Sequence, residues 1–290
     1  MKTNHSSFQF EILKNAISLE LHPELGIVVL KFTESSTRNS ITLEKSEVLA
    51  QLASRLHNPS SECSDYQKLF FSHPFCVLAI QSSVENVFIS GGSLKEIPRF
   101  SETDSHRFTN NMRQFTEFLR TGALVSVSLL NGLAVGGGAE IALATDLRFS
   151  LSPETAISLA QAKWGVPAGW GMMQDLKAKA VYGSERRRGI AVAAQEVWTL
   201  PTLLAMGLID ADCSHEDKPD GLLRLTSLAE NLANCPPELR ADLIELRPTW
   251  PEGQLPHYDE NLFSKYWMKD LHLKRLKGFH STHSNSKRSH

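Results

Sequence analysis

The sequence predicts a mixed α/β protein with a helical C-terminal part. In the first two-thirds of the 290 residues, short apolar strand patterns alternate with helical patterns, and after about residue 170 the patterns are mainly helical. Hydrophobic residues form 41% of the chain and charged residues 21%, which is enough apolar material for a large core. We therefore expect an α/β core over 8–205, a helical part over 206–279 and a disordered tail over 280–290.

The elements follow one another from residue 17 onwards. Alternation over 17–21 and an apolar run over 27–32, separated by a turn, predict a hairpin. A helix is predicted over 41–56 with Ser40 as its N-cap. Further strands are expected over 75–80, 86–89, 123–130 and 146–151. Further helices are expected over 104–119, 172–182, 184–194, 222–232 and 259–277.

Charge and cysteine usage exclude several classes of function. The net charge of −2 argues against a nucleic-acid-binding surface. Residues 1–15 contain no apolar run, and nowhere do about 18 apolar residues follow one another, so we expect neither secretion nor membrane insertion. The four cysteines are widely spaced without a C-x-x-C pair, which predicts no metal site and a reducing, cytoplasmic location.

Two glycine-rich turns are the main candidates for a functional site. Three consecutive glycines, 136–138, stand between a strand pattern and a helix pattern, and a second turn, Ser90-Gly-Gly-Ser, lies upstream. Glycines let a backbone approach a ligand, and the start of a helix has unpaired N–H groups. If the amides of Gly92 and Gly137 point to one spot, they form an oxyanion hole. The alternative is a tight strand-to-helix crossing without a ligand.

Other glycine and nucleophile motifs do not fit. The chain has no Gly-Lys-Ser/Thr sequence for a phosphate-binding loop, no G-x-G-x-x-G dinucleotide fingerprint, no G-x-S-x-G serine-hydrolase turn and no H-E-x-x-H metalloprotease pair. The glycines therefore favour a bound carbonyl oxygen over a bound phosphate.

Four segments follow one another in a characteristic order. The longest is NGLAVGGGAEIALATD over 131–146. FISGGSLKEI over 88–97 precedes it, and WGVPAGWG over 164–171 and AMGLID over 205–210 follow it. In this order the segments resemble the crotonase (enoyl-CoA hydratase/isomerase) superfamily, and the resemblance covers roughly residues 10–215.

The resemblance implies a fold of ββα turns wound into a spiral, with a helical C-terminal part that forms a homotrimer or hexamer. It also implies a coenzyme A thioester as substrate in fatty acid metabolism, with no separate cofactor. By this resemblance the amides of Gly92 and Gly137 hold the thioester oxygen, and Glu140 is the first of two catalytic glutamates. Glu140 could otherwise be a carboxylate that stabilises the first turn of a helix. The neighbouring positions implied to bind substrate are Ser90, Gly91 and Gly136.

The second glutamate of the family's hydratases is missing. It stands four residues before the glycine that is here Gly165, which points to Gln161, whereas counting from Pro167 points to Ala160. Neither residue is an acid. Hydration needs a base for water and a proton source for the α-carbon, so the loss of one carboxylate should impair it.

Decarboxylation and double-bond isomerisation need fewer acidic groups. The chain resembles the ethylmalonyl- and methylmalonyl-CoA decarboxylases of the superfamily, which also lack the second glutamate. Trp164 and Trp170 could line such an apolar site, or they could simply pack in the core.

Three functions therefore stay open. The first is a lyase or isomerase that stabilises a thioester enolate. The second is a hydratase in which Gln161 or Asp175 replaces the missing group. The third is a non-catalytic homologue that binds an acyl-CoA or a protein.

Overall fold

The computed structural model divides the chain into two units, Met1–Asn234 and Cys235–His290. The residues that it describes are 7–57, 65–179, 181, 184–215 and 221–244. The predicted helix over 259–277 and the predicted tail over 280–290 lie outside them. In the described part, no helix is both long and apolar enough to cross a membrane.

Strands and helices alternate through the described part of the first unit. The strands are β1 (Phe8–Leu13), β2 (Ile17–His22), β3 (Ile27–Phe32), β4 (Val77–Ser82), β5 (Asn86–Val87), β6 (Val125–Leu130), β7 (Gly132–Val135), β8 (Leu147–Ser150), β9 (Ala156–Ser158), β10 (Val197–Thr199) and β11 (Ala211–Asp212). The helices are α1 (Leu43–His57), α2 (Asp65–Ser72), α3 (Glu102–Thr121), α4 (Gly137–Ala144), α5 (Met172–Ala178), α6 (Glu185–Ala193), α7 (Leu200–Ala205) and α8 (Leu222–Asn234). In the second unit the described helix is α9, Pro237–Ile244.

The strands form two sheets. The larger has the order β1-β2-β3-β4-β6-β8-β11, with β1, β2 and β3 antiparallel and the later strands parallel. The pairing of β2 with β3 confirms the predicted hairpin. The smaller sheet has the order β10-β9-β7-β5. The mixed α/β prediction is confirmed, although β10 and β11 interrupt the region predicted as mainly helical.

Apolar residues alternate between the two faces of the large sheet. Val28, Leu30, Leu78 and Ile80 face the main core, which α1, α3 and α4 also fill. The neighbouring residues of the same strands face a smaller cluster, to which α8 contributes Leu225 and Ala229. The parallel strands are buried on both faces, as the continuous apolar runs in the sequence indicate.

The connection into the triple glycine differs from the prediction. The strand predicted over 123–130 does not run directly into the glycines, because Asn131 leads the chain from β6 into β7 of the other sheet. A strand of four residues has too few positions for its periodicity to be recognised. At Gly132 a Cβ atom would lie 2.0 Å from a backbone atom of Asn86, so a side chain has no room there.

Helix α1 is capped differently from the prediction. The side-chain oxygen of Thr42, and not that of Ser40, accepts a hydrogen bond from the amide of Lys45 at 3.1 Å. The carbonyl of Ser40 instead accepts a hydrogen bond from the Lys45 ammonium group at 2.6 Å. Helix α3 begins with a capping box, in which the side chains of Ser101 and Asp104 each accept from the other's backbone amide.

The start of α4 lies directly against the segment that follows β5. A Cβ atom at Gly138 would lie 2.0 Å from the carbonyl oxygen of Ile89, and the amide of Val135 donates to the same oxygen at 3.0 Å. Only glycine allows the backbone of α4 to come this close to Ile89. This contact sets the separation between the two glycine turns.

We expect Gly138→Ala to destabilise the protein by about 1–3 kcal/mol or more, because the added methyl group must push two backbones apart. The shift of the urea midpoint at a fixed protein concentration measures this. Gly189→Ala in α6 is the matched control: a Cβ atom there meets nothing within 4 Å. This change should stabilise the protein by about 0.5–1 kcal/mol. Equal midpoints for the two variants would contradict the close approach at Gly138.

Candidate active site

The two predicted glycine turns meet in the structure. A Cβ atom at Gly91 would lie 3.2 Å from the amide nitrogen of Gly137 and 2.7 Å from the carbonyl oxygen of Val135. Gly91 has a φ of +88° and Gly136 a φ of +53°, values that favour glycine. The two turns are 45 residues apart in the sequence, and the fold brings them into contact.

The amides of Gly92 and Gly137 have no acceptor among the described residues. Gly92 forms a parallel bridge with Ile41, but the bonds of that bridge use the Gly91 carbonyl (2.7 Å) and the Ser93 amide (2.8 Å). Gly137 is the first residue of α4, where N–H groups have no intrahelical partner. The turn at Gly92 is followed by a 3₁₀ turn at Ile97–Arg99 and not by an α-helix.

The side chain of Ser90 points away from this pair of amides. Its hydroxyl group donates to the carbonyl of Thr37 at 3.2 Å, and its amide donates to the carbonyl of Arg38, also at 3.2 Å. Ser90 therefore attaches the glycine turn to the segment before α1. In the described part of the chain, no group of three or more His, Cys, Asp or Glu side chains could hold a metal ion.

Glu140 lies one turn after Gly137 on the same face of α4, and its side chain is buried with 2% exposure. Its carboxylate accepts hydrogen bonds from two backbone amides of the loop before α5, those of Trp170 at 2.6 Å and Gly169 at 3.2 Å, and from the amide of Met172, the first residue of α5, at 3.5 Å. Glu140 therefore holds this loop against the start of α4.

Burial raises the pKa of Glu140 above its ordinary value, because the charged form loses its hydration. The hydrogen bonds from Trp170, Gln161 and Gly169 favour the charged form and oppose this effect, but the pKa remains raised. A glutamate with a raised pKa keeps its proton closer to neutral pH than an exposed one, which suits a group that gives and takes protons.

Gln161 stands beside Glu140, in the 3₁₀ helix Ala160–Trp164. Its amide nitrogen donates to Glu140 Oε1 at 3.3 Å and to the carbonyl of Gly136 at 3.1 Å. Because both neighbours are acceptors, the orientation of the amide is determined and its oxygen points the other way. That oxygen is buried and has no partner among the described residues. A buried acceptor of this kind calls for a donor from water or a ligand.

Helix α3 holds the same loop from the opposite side. Thr116 donates to the carbonyl of Trp170 at 2.8 Å, and Arg113 donates to the carbonyl of Gly169 at 2.7 Å. Arg120 also donates to the Trp170 carbonyl, at 3.0 Å, and pairs with both carboxylate oxygens of Asp175 at 2.7 and 2.8 Å. Since both oxygens of Asp175 are engaged by Arg120, this carboxylate is poorly suited to replace a missing catalytic acid.

The two predicted tryptophans occupy different environments. The ring of Trp170 is 7% exposed and covers Gly137, where an added Cβ atom would lie 2.3 Å from two ring atoms. Trp164 is 56% exposed, with the Lys163 ammonium group 5.7 Å from its ring centre. Trp170 therefore borders the glycine pair, whereas Trp164 lies at the surface of the chain.

Two residues beside the glycines were missed by the sequence analysis. Phe108 of α3 and Ile97 both lie within 4 Å of the position that a Cβ atom would take at Gly92. Phe108 follows the spacing of the buried α3 residues Met112, Phe115 and Leu119, so the periodicity indicated its burial. Nothing in the sequence indicated which part of the core it would contact.

Comparisons with known proteins identify the family of the chain. A model of the enoyl-CoA hydratase/isomerase family matches residues 70–266. The probable enoyl-CoA hydratase 2, mitochondrial, of Arabidopsis thaliana is 29% identical over 46% of this chain and 42% of that protein. The enoyl-CoA hydratase domain-containing protein 2, mitochondrial, of Homo sapiens is 28% identical over 72% of this chain and 66% of that protein. The chain thus covers less than two-thirds of the length of either relative.

A solved structure of an enoyl-CoA hydratase from Bacillus anthracis superposes with a TM-score of 0.74 at 17% identity, covering 93% of this chain and 97% of that one. The shared architecture shows that the fold is the crotonase fold that the resemblance implied. The family model extends over more than half of the chain, and the glycine turns and Glu140 lie within its range. The chain belongs to the enoyl-CoA hydratase/isomerase family.

Proposed function

We propose that the protein is an enzyme that acts on an acyl-CoA thioester by stabilising its enolate. The observation that supports this most is the pair of unpartnered amides at Gly92 and Gly137, which lie on adjoining turns. A thioester oxygen between them would accept both hydrogen bonds, and these bonds strengthen as negative charge develops. Removing one such donor in related chemistry costs about 10²–10³ in rate. We also propose the homotrimer or hexamer implied by the resemblance.

Decarboxylation of a malonyl-type thioester is the reaction that we favour. The bond between the α-carbon and the carboxylate breaks, its electron pair enters the thioester enolate, and CO₂ leaves. Glu140 then gives a proton to the α-carbon and is reprotonated from solvent. This needs only one acid, and the buried Glu140 with its raised pKa supplies it. The rings of Trp170 and Phe108, which contact each other beside the two glycines, carry no charge that would stabilise the substrate carboxylate.

Isomerisation of a 3-enoyl thioester is the second candidate. Glu140 would take a proton from C2 and return it to C4, so one carboxylate again suffices. Hydration is supported by the unpartnered oxygen of Gln161, which could accept a hydrogen bond from the attacking water. Gln161 cannot act as a base itself, however, because an amide does not take up a proton at neutral pH.

Turnover of a panel of CoA esters tests these reactions against one another. We expect release of CO₂ from malonyl-, methylmalonyl- or ethylmalonyl-CoA, and hydration of crotonyl-CoA slower by about 10²-fold or more, since general acid–base groups contribute about 10²–10⁴ each. Efficient hydration of crotonyl-CoA that is lost in Gln161→Leu would instead establish the hydratase. If no ester turns over or raises the melting temperature, the enzyme proposal fails.

Restoring a carboxylate tests the position of the missing acid. In Gln161→Glu a second carboxyl group would lie beside Glu140, where Gln161 Nε2 is now 3.3 Å from Oε1, so one of the two pKa values should rise strongly. We expect crotonyl-CoA hydration to increase by at least about tenfold. Ala160→Glu is the control, because it adds the same group at the neighbouring position. An increase in the control alone would show that the acid belongs at residue 160.

The pH dependence separates the two favoured reactions. A decarboxylase needs Glu140 protonated, so kcat should be full below its raised pKa and fall as the pH rises through it. An isomerase needs the carboxylate first, so kcat should rise through the same pKa. Glu140→Gln should remove this dependence of kcat on pH and lower kcat by about 10²–10⁴. Glu154→Gln, at an exposed turn, should leave the profile unchanged. If the same pH dependence of kcat persists in Glu140→Gln, another group carries out the proton transfer.

A further inference from the structure

A wall formed by the rings of Trp170 and Phe108 and by Ile97 covers the two glycines of the candidate oxyanion hole. The ring of Trp170 covers Gly137, and an added Cβ atom at Gly92 would lie 3.7 Å from the ring of Phe108 and 2.7 Å from Ile97. The rings of Phe108 and Trp170 contact each other edge to face, with centroids 5.7 Å apart. Together these side chains cover one side of the two glycines that form the candidate oxyanion hole.

This wall is held in place by contacts on several sides. The backbone of Trp170 donates to Glu140 at 2.6 Å, and its carbonyl accepts hydrogen bonds from Thr116 and Arg120 at 2.8 and 3.0 Å. Phe108 is 7% exposed and also contacts Phe100, with ring centroids 5.5 Å apart. Moving the Trp170 ring by shifting its loop would break these hydrogen bonds, two of which involve a charged partner, Glu140 or Arg120.

We propose that Trp170 and Phe108 restrict the substrate to short acyl groups. This inference rests on the proposed function. A thioester oxygen within about 3 Å of both amides lies beside Gly92 and Gly137, and the first acyl carbons therefore come close to the rings that cover these two glycines. A long chain would have to displace these packed aromatic side chains, which a well-packed core opposes. A short chain instead fits against the wall and gains apolar contact with it.

Saturated acyl-CoA esters test the proposal because they bind without reacting. We expect the full-length protein to bind butyryl-CoA at least tenfold more tightly than decanoyl-CoA in calorimetric titration. Trp170→Ala should open the wall and change this ratio by at least tenfold in favour of decanoyl-CoA. Trp170→Leu, which leaves a smaller cavity, should change the ratio in the same direction. It replaces the alanine variant in the test if the alanine variant does not fold.

Phe115→Leu is the matched control. Phe115 lies on α3 like Phe108 and is fully buried, but it is not among the atoms near either glycine. It should lower stability without changing the ratio of the two dissociation constants. Equal binding of the two esters by the unmodified protein, or an equal loss for both in the Trp170 variants, would overturn the chain-length proposal alone. Absence of binding by any CoA ester would overturn the proposed function as well.

Discussion

The buried carboxylate of Glu140 is the constraint on which the rest of the site depends. It accepts hydrogen bonds from the backbone of Gly169, Trp170 and Met172, and thereby attaches the loop before α5 to the first turn of α4. A carboxylate with 2% exposure is costly unless its lone pairs are used. Here the backbone amides meet that need, and in return the loop has one defined position beside Gly137.

Glu140 thus contributes both to the stability of the loop before α5 and to the proposed chemistry. Burial raises the pKa of Glu140, and the surrounding amides limit how far it rises. The same amides orient the carboxylate, so that the acid or base proposed for the reaction is also the residue that organises the loop. Replacing Glu140 therefore changes two things at once, the proposed proton-transfer group and the anchor of the loop, so its kinetic effect has to be measured together with its effect on stability.

More of the fold than of the detailed site geometry could be predicted from the sequence. The hairpin β2–β3, helix α3 and the strand β6 follow from local patterning, because each has enough residues for its periodicity to be clear. Strands β7, β9, β10 and β11 were missed because they have two to four residues and form only where a partner strand exists. The wall residue Phe108 was recognisable as buried, but its contact with Trp170 joins positions that no local pattern connects.

By itself the sequence determined the two glycine turns, the glutamate that follows the second, and the absence of an acid at Gln161. These are properties of residue type and short spacing, which hold wherever the segments come to lie. Only the tertiary structure decided that Trp170 rather than Trp164 covers Gly137, and that Gln161 contacts Glu140 across 21 residues. It also decided that Asp175 is paired with Arg120, 55 residues away. Such contacts depend on how strands and helices pack, since packing brings together side chains that chain distance separates.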